Sequence, residues 1–397
     1  MRTPVLFALS LMLLGVAASG AERRIPKDLS TIRGFNYTAS SATGHPDHWL
    51  RYKPEETERE MDFAVRLNLN QVRVFVPFDV FRKEKESLRK NLLHFVRACH
   101  RRGIGVMPVA GWGGVRTNPE LRPAAAEYVR FLVETLSGEP GLEFWDACNE
   151  PEVPRASADE MKKRFEFAAY IAGLFREFDK KTPVTIGMAS VPGMEVLPDA
   201  VDVLSFHDYS PTRARIRANI ERATKFAAKV GKPVFNTEIG CVARANPYDV
   251  TLQEHMRAKV GWYIWELMIT HGRWGPVHGV FYGDGTVRDP SIAAAILGFF
   301  RNRAEYVLLE NADQENRVTR TVAEARKWLD QDPGAWDEGL ALAETAANLL
   351  EAGQLISMRE LPTRQVDLMR EKQPDLPALR ALLKQYVRFL EPHQLKR

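Results

Sequence analysis

The chain holds only three cysteines in 397 residues, Cys99, Cys148 and Cys241. Three scattered thiols make neither a disulfide framework nor a zinc-ligand spacing. A charge excess of one sign is also lacking. The 55 basic and 51 acidic residues leave a formal +4, too little to argue for a nucleic acid or an anionic membrane as partner. Beyond the N-terminus no stretch approaches the roughly 20 apolar residues that span a bilayer. A nucleophile elbow, a phosphate-binding glycine loop and clustered His/Cys ligands are all missing. His94 and His100 share a helix at a spacing that does not bring ligands together. The sequence therefore asks for no metal and no other cofactor.

What is present is ordinary globular composition, 45% apolar and 27% charged, in a chain long enough to bury a large core without staples. The first 21 residues stand apart. Arg2 precedes an apolar run of 12 over residues 5–16, and Ser19-Gly20-Ala21 supplies small residues where a signal peptidase cuts. The pattern predicts a signal peptide over 1–21, too short for an anchor and with no following cysteine to lipidate. The expectation is a secreted or periplasmic protein without a membrane anchor.

From about residue 32 to 303, short apolar runs alternate with amphipathic stretches. Strands are expected at 32–38, 71–76, 104–109, 142–148, 183–188, 201–206, 233–238 and 261–265. Their continuous apolar character suits a parallel sheet covered on both faces. Helices are expected at 54–68, 86–102, 123–137, 158–180, 212–230, 250–258 and 289–302. Eight such units in about 270 residues predict an α/β protein, a (β/α)8 TIM barrel over residues 22–303. An open doubly wound sheet fits less well, because no glycine-rich loop follows the first strand. After residue 304 strand-like runs stop. Leu379, Leu382, Leu383, Tyr386, Val387 and Leu390 keep helical spacing, with shorter patterns at Val318–Leu329 and Leu342–Leu349. These predict a helical C-terminal extension over 304–397 that packs its apolar faces internally or on the barrel.

In such barrels the C-terminal ends of the strands carry the chemistry. Strand four runs into Asn149-Glu150-Pro151, and strand seven ends at Glu238. Two glutamates facing each other across a barrel mouth suit retaining glycoside hydrolysis, which needs carboxyl groups about 5–5.5 Å apart. One must be protonated to serve the leaving oxygen and the other ionised to attack, so their surroundings must split their pKa values. Other residues sit at strand ends in step with these. They are Arg73 on strand two, His207-Asp208-Tyr209 after strand six and Trp265 at the end of strand eight.

In these residues the barrel resembles the clan A glycoside hydrolases, and most nearly family five, the cellulase- and mannanase-like enzymes. The resemblance covers residues 32–303 and neither the leader nor the tail. It implies that Glu150 is the general acid and then the general base, and that Glu238 is the nucleophile. It also implies that Asn149 hydrogen-bonds the sugar 2-hydroxyl, that Tyr209 donates to Glu238, and that Arg73 lies beneath Glu238 and lowers its pKa. His207 would bind substrate or orient the acid/base residue, and Trp265 would stack under the sugar. The family's histidine after strand three is absent. Ala110-Gly111-Trp112-Gly113-Gly114 stands there, and Trp112 offers an aromatic surface instead. Asn36, Tyr37, His45, His48 and Trp49 are further candidates around the cleft, as is Trp274. Glu143, Glu152 and Glu266 are neighbouring carboxylates read as bystanders, with Glu266 a possible substrate contact. A Cys148–Cys241 bridge is conceivable.

The function expected is an exported retaining β-glycoside hydrolase acting on a β-linked polysaccharide or oligosaccharide. A transglycosylase would use the same carboxylates, and a non-catalytic carbohydrate-binding barrel is the alternative from another class. A carbohydrate is the expected partner. Sugar, linkage, endo or exo action and oligomeric state are not legible.

Overall fold

The computed structural model describes residues 23–394, apart from 24, 114–117, 153–155, 274, 301–311, 332–333, 353–361 and 372. The expected signal peptide and Trp274 lie outside the described residues. Eight parallel strands run in chain order: β1 (Arg33–Tyr37), β2 (Gln71–Pro77), β3 (Gly105–Gly111), β4 (Trp145–Asn149), β5 (Val184–Gly187), β6 (Leu204–His207), β7 (Val234–Ile239) and β8 (Gly261–Ile264). Each pairs with its sequence neighbour from β1 to β5 and from β6 to β8, and β1 pairs with β8. A parallel bridge from Met188 to Phe206 joins the β5 and β6 sides. The sheet thus closes into the (β/α)8 barrel the alternation predicts.

Closure explains the apolar strands. Residues on one parity face the helices, and those on the other fill the barrel. Met107, Phe144, Val203, Phe235 and Tyr263 form one buried interior cluster. Gly34 is required there, since a Cβ would sit 2.2 Å from the Tyr263 ring. Toward the strands' C-terminal ends the interior turns polar, with Asn36, Arg73, Asp146, Thr185, Ser205 and Thr237 all at most 1% exposed.

The helices depart from expectation in three places. Short helices at His45–Leu50 and Phe78–Lys83 occupy loops after β1 and β2. Between β5 and β6 there is one turn of helix, Val191–Met194, and a 3-10 turn, Pro198–Ala200. The helix expected at 289–302 spans Pro290–Ile296. Short loop helices carry too few turns to show a period in sequence.

The chain divides into two compact units, one ending at Phe300 and one beginning at Arg301. The second contains helices Ala312–Leu329, Trp336–Ala352, Pro362–Arg370 and Leu376–Leu390. Val318, Val322, Trp328, Leu350, Leu379, Leu383 and Tyr386 share its core. The apolar faces predicted for the tail therefore pack on one another. Among the described residues no helix is long and apolar enough to cross a membrane.

Candidate active site

The site begins with a buried charge. Arg73 on β2 is fully buried, and a guanidinium out of water must be paired and hydrogen-bonded. Its Nε donates to Asp146 Oδ2 at 2.9 Å and its Nη1 to Glu238 Oε1 at 2.7 Å. Asn36 Oδ1 accepts from Nη1 at 3.0 Å, and Asn149 Oδ1 from Nη2 at 2.6 Å. Burial works against the Arg73 charge, and Asp146 and Glu238 more than offset it, so the group stays cationic. Gly187 on β5 leaves room for this knot, because a Cβ there would lie 2.7 Å from Arg73 Nη2 and 2.9 Å from Asp146 Oδ2.

Register shifts aim the remaining groups. The ladder slips between Asp146 and Asn149, between Phe206 and His207, and between Asn236 and Ile239. Such bulges bend a strand and redirect its side chains. Beyond the first lies Glu150, a non-glycine residue at φ 44°, a strained conformation of the kind that clusters at functional sites. Its backbone N–H is tied to the Gly187 carbonyl at 2.7 Å. Beyond the second, His207 is opposite Glu238 in the ladder.

The two glutamates meet through this histidine. His207 Nδ1 lies 2.7 Å from Glu150 Oε1 and 3.4 Å from Glu238 Oε2. Its Nε2 is 3.1 Å from Thr237 Oγ1. A carboxylate oxygen from each glutamate and a ring nitrogen of His207 all lie within 4.8 Å of one another. Tyr209 donates its hydroxyl to Glu238 Oε2 at 2.7 Å, and burial together with the Glu238 charge keeps that phenol protonated. Of the two roles expected of His207, the structure places it in contact with the acid/base candidate.

Electrostatically the pair differs from expectation. Burial raises the Glu150 pKa, but the His207 hydrogen bond and charge, helped by Arg73 and Arg244, outweigh it and hold the carboxyl at about 2. In the free site, then, Glu150 is ionised rather than held protonated. Glu150 Oε1 and His207 Nδ1 are joined by that hydrogen bond.

These groups open on a cavity of about 460 Å³. Trp265 is half-buried on its wall, edge-on to His45, Phe75 and His278 at 6.0–6.2 Å. His45 stacks on Phe75 at 4.2 Å. Burial pushes both His45 and His278 down to about 4, so they are neutral at pH 7. Trp112 lines the cavity but is 1% exposed, and its indole donates to the Ala147 carbonyl. It underlies the wall rather than presenting the open stacking face expected. His48 and Trp49 are buried among aromatics, and Tyr37 donates to Glu60. Glu152 accepts from Ala189 N–H at 2.9 Å. Glu266 is buried, and burial raises its pKa to about 8. The three cysteines are free, so no Cys148–Cys241 bridge forms.

Sequence reasoning missed Asp146, Thr237, His278 and Arg244. An aspartate inside the apolar run LEFWDAC was the one available signal, since a buried acid in a strand needs a cation. The others sit in loops or look like ordinary strand threonines.

No family model and no curated protein matches the sequence. Solved structures do match, glycoside hydrolases among them. A GH5_18 enzyme from Streptomyces cattleya, crystallised with Manβ1-4GlcNAc, superposes with a TM-score of 0.57 at 18% identity, over 67% of this chain and 79% of that one. The exo-β-1,4-mannosidase Op5Man5 from an Opitutaceae bacterium gives 0.54 at 18%, over 67% and 58%. A GH5 xyloglucan-specific endo-β-1,4-glucanase from a metagenomic library gives 0.54 at 15%, over 68% and 97%. At these identities the likeness establishes the shared barrel.

Proposed function

We propose that the chain is a retaining β-glycoside hydrolase of the family-five type, exported through its N-terminal leader, with a β-linked saccharide as substrate. The observation that carries this reading is the approach of Glu150 and Glu238 to within 4.8 Å at one cavity mouth. That approach is nearer the spacing of a retaining pair than the wider one an inverting enzyme needs for its water.

Glu238 is the nucleophile. Arg73 and Tyr209 each occupy one of its oxygens, which fixes its aim. Its attack on the anomeric carbon forms the glycosyl–enzyme ester and breaks the bond to the leaving oxygen. That oxygen takes the proton shared by Glu150 and His207. Glu150, now without that proton, takes one from water, which attacks the ester and restores Glu238. Asn149 lines the cavity with its Oδ1 held by Arg73, and its NH₂ would supply a 2-hydroxyl contact that strengthens in the transition state.

The test is sugar release from β-glucan, β-mannan, xylan and acidic β-glycans, with the Glu150→Ala/Glu238→Ala protein as blank. Proton NMR of the first-formed anomer reads the stereochemistry. Release with retained configuration is expected. An inverted first product would overturn the double displacement, and release equal to the blank would overturn the hydrolase reading.

A further inference from the structure

The cavity contains a cation whose part in the chemistry above is limited to its charge near Glu150. Arg244 follows β7 in the 3-10 turn Val242–Arg244, is exposed, and lines the cavity together with Glu150 and Glu238. Its guanidinium lies 4.3 Å from the centre of the Tyr209 ring. Among the described residues no carboxylate lies within ion-pairing distance of it. Arg73, by contrast, is neutralised by Asp146 and Glu238.

The loop that carries it is closed at its base. Cys241 and Asn246 form an antiparallel bridge at its base, with N–H to carbonyl distances of 3.4 and 3.1 Å. The Asn246 side chain accepts from Gly240 N–H at 2.7 Å and donates to the Ser210 carbonyl at 2.6 Å. Arg244 is therefore presented from a short, closed loop and rests on an aromatic face, which lowers the ordering cost of binding.

For a neutral sugar this placement is unfavourable. Glycoside cleavage passes through an oxocarbenium-like state that gathers positive charge at the anomeric carbon. A free guanidinium nearby opposes that charge, unless the substrate brings an anion to it. Arginine's planar fork matches a carboxylate, and Arg244 is exposed on the cavity wall.

We propose that Arg244 receives a negatively charged substituent of the bound saccharide, and that the preferred substrate is an acidic β-linked glycan. This deepens the hydrolase reading and rests on it for the cleavage, though not for the binding. A hexuronic acid carboxylate and a sulfate ester share the required chemistry.

The experiment pairs neutral, carboxylated and sulfated β-linked oligosaccharides of the same length. Each is tested for kcat/KM and, by calorimetry, for binding to wild type, Arg244→Gln and Arg244→Lys. The wild type should prefer at least one acidic series over the neutral one by tenfold or more. Arg244→Gln should reduce that acidic-to-neutral ratio by about tenfold or more, the scale of a lost charged hydrogen bond, and Arg244→Lys should restore part of it. The series that shows the effect identifies the anion. Equal handling of acidic and neutral sugars by the wild type overturns the proposal. So does an unchanged ratio in Arg244→Gln, which would make Arg244 only a distant countercharge to Glu150. Acidic binding that depends on Arg244 without any turnover would keep this inference and overturn the hydrolase reading.

Discussion

Glu150 and Glu238 occupy different surroundings, and their variants should fail differently. Glu238→Ala removes the attacking atom, so activity should fall to the blank on every substrate. Glu150→Ala removes proton donation, worth about 10²–10⁴-fold. That loss should be severe for an alkyl leaving group and much smaller, in the first step, for a nitrophenyl group that departs without a proton. Comparing kcat/KM on the two glycosides checks this, and equal losses would remove Glu150 from the acid role. His207→Asn addresses the proton itself. With the imidazole gone, the proton is no longer held by a pair. Glu150 then loses the partner that most lowers its pKa, which stands at about 2 in the wild type, so its carboxyl should titrate at higher pH and the basic limb of the kcat/KM profile should move up with it. An unmoved limb would show that His207 takes no part in holding that proton.

Strand β5 contributes no side chain to the chemistry, yet its last residue controls the space around it. A methyl group at Gly187 would press on Arg73, Asp146 and, at 3.1 Å, His207 Nε2. Gly187→Ala should destabilise by about 1–3 kcal/mol, the usual cost of overpacking. It should also lower kcat by tenfold or more without exchanging any group that touches substrate. Denaturant unfolding and kinetics on the same protein separate the two effects. The bulges of β4, β6 and β7 belong to this scale as well, since they turn Glu150, His207 and Glu238 toward one point.

Over the whole molecule, buried titratable groups set how stability depends on pH. Glu266 is held as a neutral acid, with its folded pKa near 8 against 4.5 in the open chain. Between those values the native protein keeps a proton that the unfolded chain releases, so this group's contribution falls as pH rises. Glu266→Gln removes the dependence. Its stability relative to wild type should therefore improve from pH 5 to pH 8, by at most roughly 1.4 kcal/mol per pH unit. Unfolding midpoints at the two pH values measure it, and a constant difference would show that Glu266 is not neutral in the fold. The helical unit beyond Arg301 has a core of its own. Proteins of two units often depart from two-state unfolding, so this comparison should follow a signal from the barrel tryptophans.

The barrel class and the two glutamates are local properties of the chain. Apolar runs of strand length alternate with helical periods, and a glutamate follows or ends each of two such runs. Both features survive in sequence because neighbours along a strand or helix share its geometry. The partners of those glutamates are a different matter. Asp146 meets Arg73 across 73 residues and His207 meets Glu150 across 57, and only barrel closure and the slips in register bring them together. Trp112 shows the same limit from the other side: its position after β3 was readable, but its burial against Ala147 depended on packing. Arg244 lies in a loop without periodicity, and a solvated loop arginine and a cavity arginine are identical in sequence. Local chemistry determined what the chain could form and which carboxylates stood ready. The long-range geometry of a closed sheet decided which charges are buried, which are paired, and that Arg244 lines the cavity.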